Sequence, residues 1–243
     1  GRISEKKIEK LTTAMIAFQK LIAVYQVDAF RVVATSAMRD ASNSKEVIEH
    51  IEKESGIKIE IIDGKLEAQL VFSNHIEEML NPKHAYMYID VGGGSTELTL
   101  YHNQKVIASK SFNIGTVRML LNKVEKDEWD YMKDWIKKTT LGIHPIHAIG
   151  SGGNINKIYK MTKKENNNIS YSKLKGIYEM LNSYTYNERV EVLSLKPDRA
   201  DVIVHAAKIF ITIMKTAEME TIFVPQIGLS DGIVHDLYEK QNK

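Results

Sequence analysis

The hydrophobic positions of this chain change period several times, and each change marks an element. Over residues 4–26 they recur at helical spacing, with Ile8, Leu11, Met15, Phe18 and Ile22 on one face. Ser4 stands where such a helix wants an N-cap. Phe30 to Thr35 (FRVVAT) is a short apolar run and reads as a strand. Residues 44–55 return to a helical pattern, Ile57 to Ile62 alternates as a strand, and 66–80 is helical again. Strand and helix taking turns in this way predict an α/β layer with buried strands. Asn81-Pro82-Lys83-His84 breaks the pattern and reads as a boundary. Beyond it, residues 85–91, 96–101 and 106–113 predict a three-stranded meander, with His102-Asn103-Gln104 as a turn. Helices are predicted over 117–124, 128–139 and 154–161, with a strand ending at Gly150 and a polar loop over 163–168. From Ser170 the chain is mostly helical, apart from a short strand over 221–225, and it closes with a helix over 230–241. The later part repeats the element order of the earlier one.

Two of the breaks are rich in glycine. In Tyr88-Ile89-Asp90-Val91-Gly92-Gly93-Gly94-Ser95-Thr96-Glu97-Leu98 a buried strand runs through a glycine turn into a second strand. Without Cβ atoms in the way, backbone N–H groups can approach a phosphate closely. Asp90 and Glu97 flank the turn, and paired carboxylates suit a hard cation. A bare hairpin needs only one or two permissive residues. The second loop, Gly150-Ser151-Gly152-Gly153, joins a strand end to a helix start, where unpaired N–H groups and a partial positive charge attract anions. Neither loop has the Lys-Ser or Lys-Thr of a Walker A motif, and neither has the dinucleotide spacing. Together they point to a phosphate chain with a divalent metal.

Two further segments follow strands. Thr35-Ser36-Ala37-Met38-Arg39 carries hydroxyls and an arginine at a strand's C-terminal end, where ligands of open α/β sheets gather. Arg39 has two readings, a bidentate phosphate partner or a surface side chain bonded to Asp40 or a loop carbonyl. Glu67 opens a helix after Asp63-Gly64-Lys65-Leu66. A carboxylate there is ordinarily a partner of the helix dipole, and the alternative is a general base that activates water. The histidines show no metal-ligand spacing. Trp129, Tyr131 and Trp135 fall on one helix and read as packing. Lys157, Lys160, Lys163 and Lys164 have two readings, an extended track for a polyanion or, the favoured one, a solvated helix end.

The net charge of +2 over 243 residues argues against nucleic acid as a partner. No apolar run is long enough to span a bilayer, so no membrane partner is expected. With no cysteine, disulfides, thiolate metal sites and a cysteine nucleophile are excluded. That suits a reducing compartment. The first residues, Gly1-Arg2-Ile3-Ser4, carry no initiator Met and no signal-peptide pattern, which leaves open a start within a longer protein.

The segments FRVVATSAMRDASN, IKIEIIDGKLEAQLVF, MYIDVGGGSTELTL, SFNIGTVRML and HAIGSGGNINKI resemble, in this order, those of the exopolyphosphatase / guanosine pentaphosphate phosphohydrolase (Ppx/GppA) family. LKPDRADVI and VPQIGLSDGIVHDLY resemble its later core segments. The resemblance implies the fold of the actin, sugar kinase and Hsp70 superfamily: α/β, with two ribonuclease H-like lobes and a cleft between them. Residues 1–66 would be the remainder of the first lobe, 67–222 the second lobe, and 223–243 a strand and helix closing the core. The family's opening strand and its Asp-x-Gly-Ser-Asn-Ser loop are absent. The resemblance further implies hydrolysis of the terminal phosphoanhydride of inorganic polyphosphate or guanosine pentaphosphate, in the cytoplasm, by a possible homodimer. Glu67 matches the family's proposed base, although Leu66 stands where the family usually has a first glutamate. Asp90 and Glu97 match the acidic positions tied to Mg²⁺. Gly92, Gly93, Gly94, Ser95 and Thr96 match one phosphate loop, Gly150 to Gly153 the later one, and Thr35, Ser36 and Arg39 a first-lobe segment. Two other readings are kept: an ATP-dependent kinase of the same superfamily, and a non-catalytic polyphosphate or alarmone sensor.

Overall fold

In the computed structural model, residues 1–72, 81, 83–103, 105–162, 166–226 and 228–242 are described. The chain divides into two compact units, residues 1–73 with 229–243, and residues 74–228.

The first unit opens on helix α1 (Glu5–Tyr25), followed by strand β1 (Val32–Ala34), the short helix α2 (Ser36–Arg39), helix α3 (Ser44–Ser55), strand β2 (Ile59–Ile61) and helix α4 (Gly64–Phe72). β1 and β2 pair in parallel, with Val33 opposite Glu60. Parallel pairing requires a crossover, and α2 and α3 provide it. α3 ends where Gly56 turns to φ +69° and returns its N–H to the Glu52 carbonyl at 2.8 Å. One core joins Ile8 and Met15 of α1 to Val47 and Ile51 of α3 and to Ile57 and Ile59. Phe18 does not share that face as its spacing predicts: it is 53 % exposed. Ser4 sits at the N-cap position of α1 without a side-chain cap bond. Asn43 fixes the start of the chain instead, accepting from Ile3 N–H at 2.9 Å and donating to the Ile3 carbonyl at 3.0 Å.

The last helix of the chain, α12 once the intervening elements are numbered (Leu229–Gln241), also belongs to this unit. Its Ile233 packs with Ile62 and Leu70, flanked by Val33, Leu66, Leu229 and Leu237. Arg31 ties it further, holding Glu60 through Nε and Nη2 at 2.9 Å and Asp236 through Nη1 at 3.2 Å. The sequence places a boundary between residues 66 and 67; in the structure α4 runs across that point and stays with the first unit. The expected helix over 66–80 is confirmed to Phe72, and residues 73–80 lie outside the described ones.

The second unit is built on a six-stranded sheet. Strands β3 (Ala85–Val91), β4 (Thr96–His102) and β5 (Lys105–Phe112) form the expected antiparallel meander. Helices α5 (Thr116–Leu120) and α6 (Lys126–Thr139) lead to β6 (Ile146–Ser151), which pairs with β3 in parallel. Helix α7 (Gly153–Lys160), strand β7 (Asn168–Ser170), helices α8 (Tyr171–Ser183), α9 (Tyr186–Glu191), α10 (Pro197–Ala200) and α11 (Ile203–Thr216), and strand β8 (Thr221–Phe223) complete it. The spatial order is β5-β4-β3-β6-β8-β7. The first five strands therefore show the three-antiparallel, two-parallel order of a ribonuclease H-like sheet. β7 overlaps the loop expected over 163–168 at Asn168 only and was not expected as a strand; three residues are too few to show a period.

On β3, Ala85, Met87, Ile89 and Val91 enter the core together with Ile203, Phe210 and Ile213 of α11. By the period of two, Tyr86, Tyr88 and Asp90 project from the other face. Phe112 meets Tyr131 and Trp135 edge-on at 5.9 and 5.5 Å, so these aromatics pack as expected. Among the described residues no helix is long and apolar enough to cross a membrane.

Candidate functional site

The two glycine loops meet because the strands that carry them are neighbours. β3 runs between β4 and β6, and the register sets Asp90 opposite Glu97 on one side and Ser151 on the other. Glu97 in turn faces Ser111 on β5. Ser151, Asp90, Glu97 and Ser111 thus form one polar row across four strands, at the end of β3 where both loops begin.

The first loop is held from behind. The Gly92 carbonyl accepts from Thr116 N–H at 3.0 Å, and the Gly93 carbonyl from Val117 and Arg118 N–H at 2.9 and 3.1 Å. The Gly94 carbonyl accepts from Arg118 Nε at 2.8 Å. The start of α5 thereby satisfies all three glycine carbonyls. Gly92 N–H returns to the Ser95 carbonyl at 2.9 Å, while the amides of Gly93, Gly94 and Ser95 reach no acceptor among the described residues. Their carbonyls are drawn to one side, so their N–H groups are left for an anion on the other.

The hydroxyls of this loop are committed elsewhere. Ser95 Oγ donates to Glu97 Oε1 at 2.6 Å, and Thr96 Oγ1 to the Ile114 carbonyl at 2.5 Å. Both residues were expected to bind phosphate. In this arrangement Ser95 has its amide to offer, and its side chain serves Glu97.

Gly115 is a site residue that periodicity and spacing do not mark. A Cβ there would lie 2.4 Å from the Gly93 carbonyl oxygen. Only a bare backbone lets α5 come close enough to hold the loop. Gly115→Ala is expected to cost about 2 kcal/mol of stability through overpacking, and to weaken phosphate binding as the loop shifts. Urea unfolding and a phosphate titration check this; an unchanged unfolding midpoint would show that the loop can retreat freely.

The glycines of the second loop act for different reasons. Gly150 lies within β6 opposite Ile89, and an added Cβ would meet Ile222 Cδ1 at 2.7 Å, so its role is packing. Gly152 turns the chain at φ +98°, and its Cβ would stand 3.2 Å from Asp90 Oδ1. Gly153 opens α7, whose first internal bond is Asn156 N–H to the Gly152 carbonyl. The amides of Gly153, Asn154 and Ile155 precede that bond, as at any helix start. Arg199, from α10, lies against Gly153 and donates through Nη1 to Asn154 Oδ1 at 2.8 Å. It brings a cationic group to the second loop from 45 residues away, a distance over which no local pattern reports.

Asp90 accepts no hydrogen bond and pairs with no cation among the described residues. Burial first, and the Glu97 charge second, push its carboxyl up to about 7. Glu97 differs: it is buried and takes two hydroxyls on Oε1, from Ser95 and from Ser111 at 2.9 Å. An unpaired buried carboxylate beside a second one is a donor set suited to a hard cation. Among the described residues no three His, Cys, Asp or Glu side chains cluster to hold a metal by themselves. Mg²⁺ characteristically takes one or two carboxylates and completes its shell with water and phosphate oxygens. Asp90 with Glu97 fits that pattern.

The first-unit candidates stand as follows. Asp63 caps α4, its Oδ1 accepting from Leu66 N–H at 2.7 Å, which sets Glu67 in the first turn. Arg39 donates through Nη1 to the Ile62 carbonyl at 2.9 Å, the structural partnership that was one of its two readings. Thr35 holds the N-cap position of α2 without a side-chain cap bond. Two histidines do meet, although their spacing shows no pairing: His84 stacks on His147 with ring centroids 4.9 Å apart, at the opposite end of β3 from the glycine loops.

The model of the Ppx/GppA phosphatase family matches residues 1–241. The chain belongs to the Ppx/GppA phosphatase family. Its relatives there include a bifunctional 3-dehydroquinate synthase/phosphatase of Fusobacterium nucleatum, 30% identical over 225 residues. That match takes in 83% of this chain and 34% of the relative, so the chain spans about a third of that protein. Exopolyphosphatase 1 of Mycobacterium leprae is 21% identical, over 96% of this chain and 75% of the relative. Guanosine-5'-triphosphate,3'-diphosphate pyrophosphatase of Photobacterium profundum is 21% identical, over 99% and 51%. Among solved Ppx/GppA structures, an exopolyphosphatase from Cytophaga hutchinsonii superposes with a TM-score of 0.83 at 23% identity, covering 99% of this chain and 84% of that one. The Aquifex aeolicus family member gives 0.75 at 24%, covering 100% and 84%. The α/β fold is therefore that of Ppx/GppA proteins.

Proposed function

We propose that this chain hydrolyses the terminal phosphoanhydride bond of inorganic polyphosphate or guanosine pentaphosphate, releasing phosphate. The observation that carries this reading is the first glycine loop: three carbonyls tied back to α5 and Arg118, three amides left over, and an unpaired Asp90 beside them. Family membership supports the same reading, since relatives are named for exopolyphosphatase and guanosine pentaphosphate pyrophosphatase activity.

In this mechanism the amides of Gly93, Gly94 and Ser95 bind the oxygens of one phosphate, and the start of α7 binds a neighbouring one. Arg199 adds positive charge beside α7. Asp90 and Glu97 would hold Mg²⁺, which when bound offsets charge on the transferred phosphoryl group. Glu67 orients the attacking water and takes its proton. The residues do little covalent chemistry. Their contribution is positioning and electrostatic complementarity, which is what phosphoryl transfer mainly requires.

Phosphate release with Mg²⁺, from polyphosphate and from guanosine pentaphosphate, tests the proposal. Release without any cosubstrate is expected. Release only when a hydroxyl acceptor is added would make the protein a kinase. Tight binding with no release would make it a sensor.

A further inference from the structure

The polar row across the sheet assigns work to a residue outside both loops. Glu97 lies in the middle of it, 5% exposed, and both hydrogen bonds it receives fall on one oxygen. Ser95 Oγ donates to Oε1 from the loop at 2.6 Å, and Ser111 Oγ donates to the same atom from β5 at 2.9 Å. Two donors on one oxygen fix the plane of the carboxylate. Among the described residues Oε2 receives no hydrogen bond. The strand register keeps this geometry: Ser111 is the direct cross-strand partner of Glu97, and Asp90 is the partner on the other side. Directly paired side chains on one face of neighbouring strands lie close enough for a hydroxyl on one to hold a carboxylate on the other.

We infer that Ser111 is a positioning residue of the phosphate site, orienting Glu97 so that one oxygen is held by hydroxyls and the other is offered to the reacting phosphate and its cation. Among the described residues the hydrogen-bond partner of Ser111 Oγ is Glu97, and no phosphate-binding group of either loop. The inference rests on the proposed hydrolytic reading and adds a residue to it. Ser111 is also separable from the loop. Ser95 performs the same donation, but it carries a loop amide, so its substitution changes the cradle as well. Ser111 stands on an exposed strand position where a methyl group can be added or a hydroxyl removed without opening a cavity. Partners that orient a site carboxylate commonly change activity by 10- to 100-fold.

The experiment compares the parent chain with Ser111→Ala and Ser111→Thr. Phosphate release with Mg²⁺, inorganic phosphate binding by calorimetry, and melting temperature are measured on each. Ser111→Ala is expected to lower kcat about tenfold, with KM and phosphate affinity unchanged and the melting temperature held. Ser111→Thr, which restores the hydroxyl, is expected to return kcat to near the parent value. An alanine variant as fast as the parent overturns the inference. So does one in which KM rises and kcat does not fall, because Ser111 would then be binding substrate. Loss of kcat accompanied by a large fall in melting temperature, with no rescue by threonine, also overturns it in favour of a plain structural role. If the parent chain releases no phosphate, the hydrolytic reading fails and this inference falls with it, whereas an active parent with an equally active alanine variant removes only Ser111.

Discussion

At pH 8 the Asp90→Asn variant is expected to be more stable than the parent chain and far less active. The reason is that the parent carries a half-buried charge with no partner among the described residues. Asp90 has a folded pKa of about 7 against an ordinary value of 3.8. Between those two values the folded chain binds more protons at this position than the unfolded one. Stability contributed by the protonated form is therefore full below about pH 4 and is lost as the pH rises toward 7. A shift of this size corresponds to at most about 4 kcal/mol. Asp90 keeps some contact with solvent, which screens its charge, and about 2 kcal/mol is the expected difference. Asparagine has the same shape and no charge, so the two chains should unfold nearly alike at about pH 4 and diverge progressively up to about pH 8. Adding Mg²⁺ at pH 8 should raise the midpoint of the parent and leave the variant unmoved, since the cation would supply the missing partner. Urea unfolding at the two pH values, with and without Mg²⁺, reads all of this. Equal stability at pH 8 would mean that Asp90 finds a partner in solution. Phosphate release should fall at least about a hundredfold, as expected for a charge acting at the transferred group.

The second large effect concerns Glu67→Gln. Glutamine keeps the length and hydrogen-bonding capacity of the side chain but cannot take a proton. Turnover is expected to drop by about 10²- to 10⁴-fold, the usual contribution of a general base. Phosphate affinity should change little, because the glycine-loop amides and Arg199 belong to other segments. The melting temperature of the variant is read alongside, with α4 capped by Asp63 and packed through Leu70. Rates from single-turnover experiments and affinities from calorimetry, taken on the same preparations, separate the two effects. A variant with full activity would remove Glu67 from the reaction and return it to the role of a first-turn carboxylate facing the helix dipole.

Local patterns carried much of this protein. The period of two over β3, β4 and β5 gave the meander almost to the residue. The helical spacing gave α1, α3, α6 and the helix after the second glycine loop. The glycine runs are legible because a tight approach of backbone to ligand or to another strand leaves no other choice of residue, and the flanking Asp90 and Glu97 are visible with them. Less legible were elements too short to have a period, such as β7, and positions whose neighbours come from far along the chain. Phe18 fits the apolar spacing of α1, yet the helix turns it outward, because spacing describes a face and not what covers it.

The chain's own pattern of residues therefore settles which segments form strands and helices, in what order, and where backbone can approach an anion. These are properties of a few consecutive residues, set by steric limits on φ and ψ and by the alternation of apolar side chains. Tertiary contact alone settles which groups remain available. Ser95 and Thr96 look like phosphate ligands in sequence, and folding commits both hydroxyls within the protein, to Glu97 and to the Ile114 carbonyl. Gly115 gains its meaning only where α5 is pressed against Gly93 and Gly94. Arg199 arrives at the second loop from α10, and Asp236 meets Arg31 across 205 positions. Nothing within one segment records such pairings, since each exists only once the sheet and its helices have closed the intervening chain.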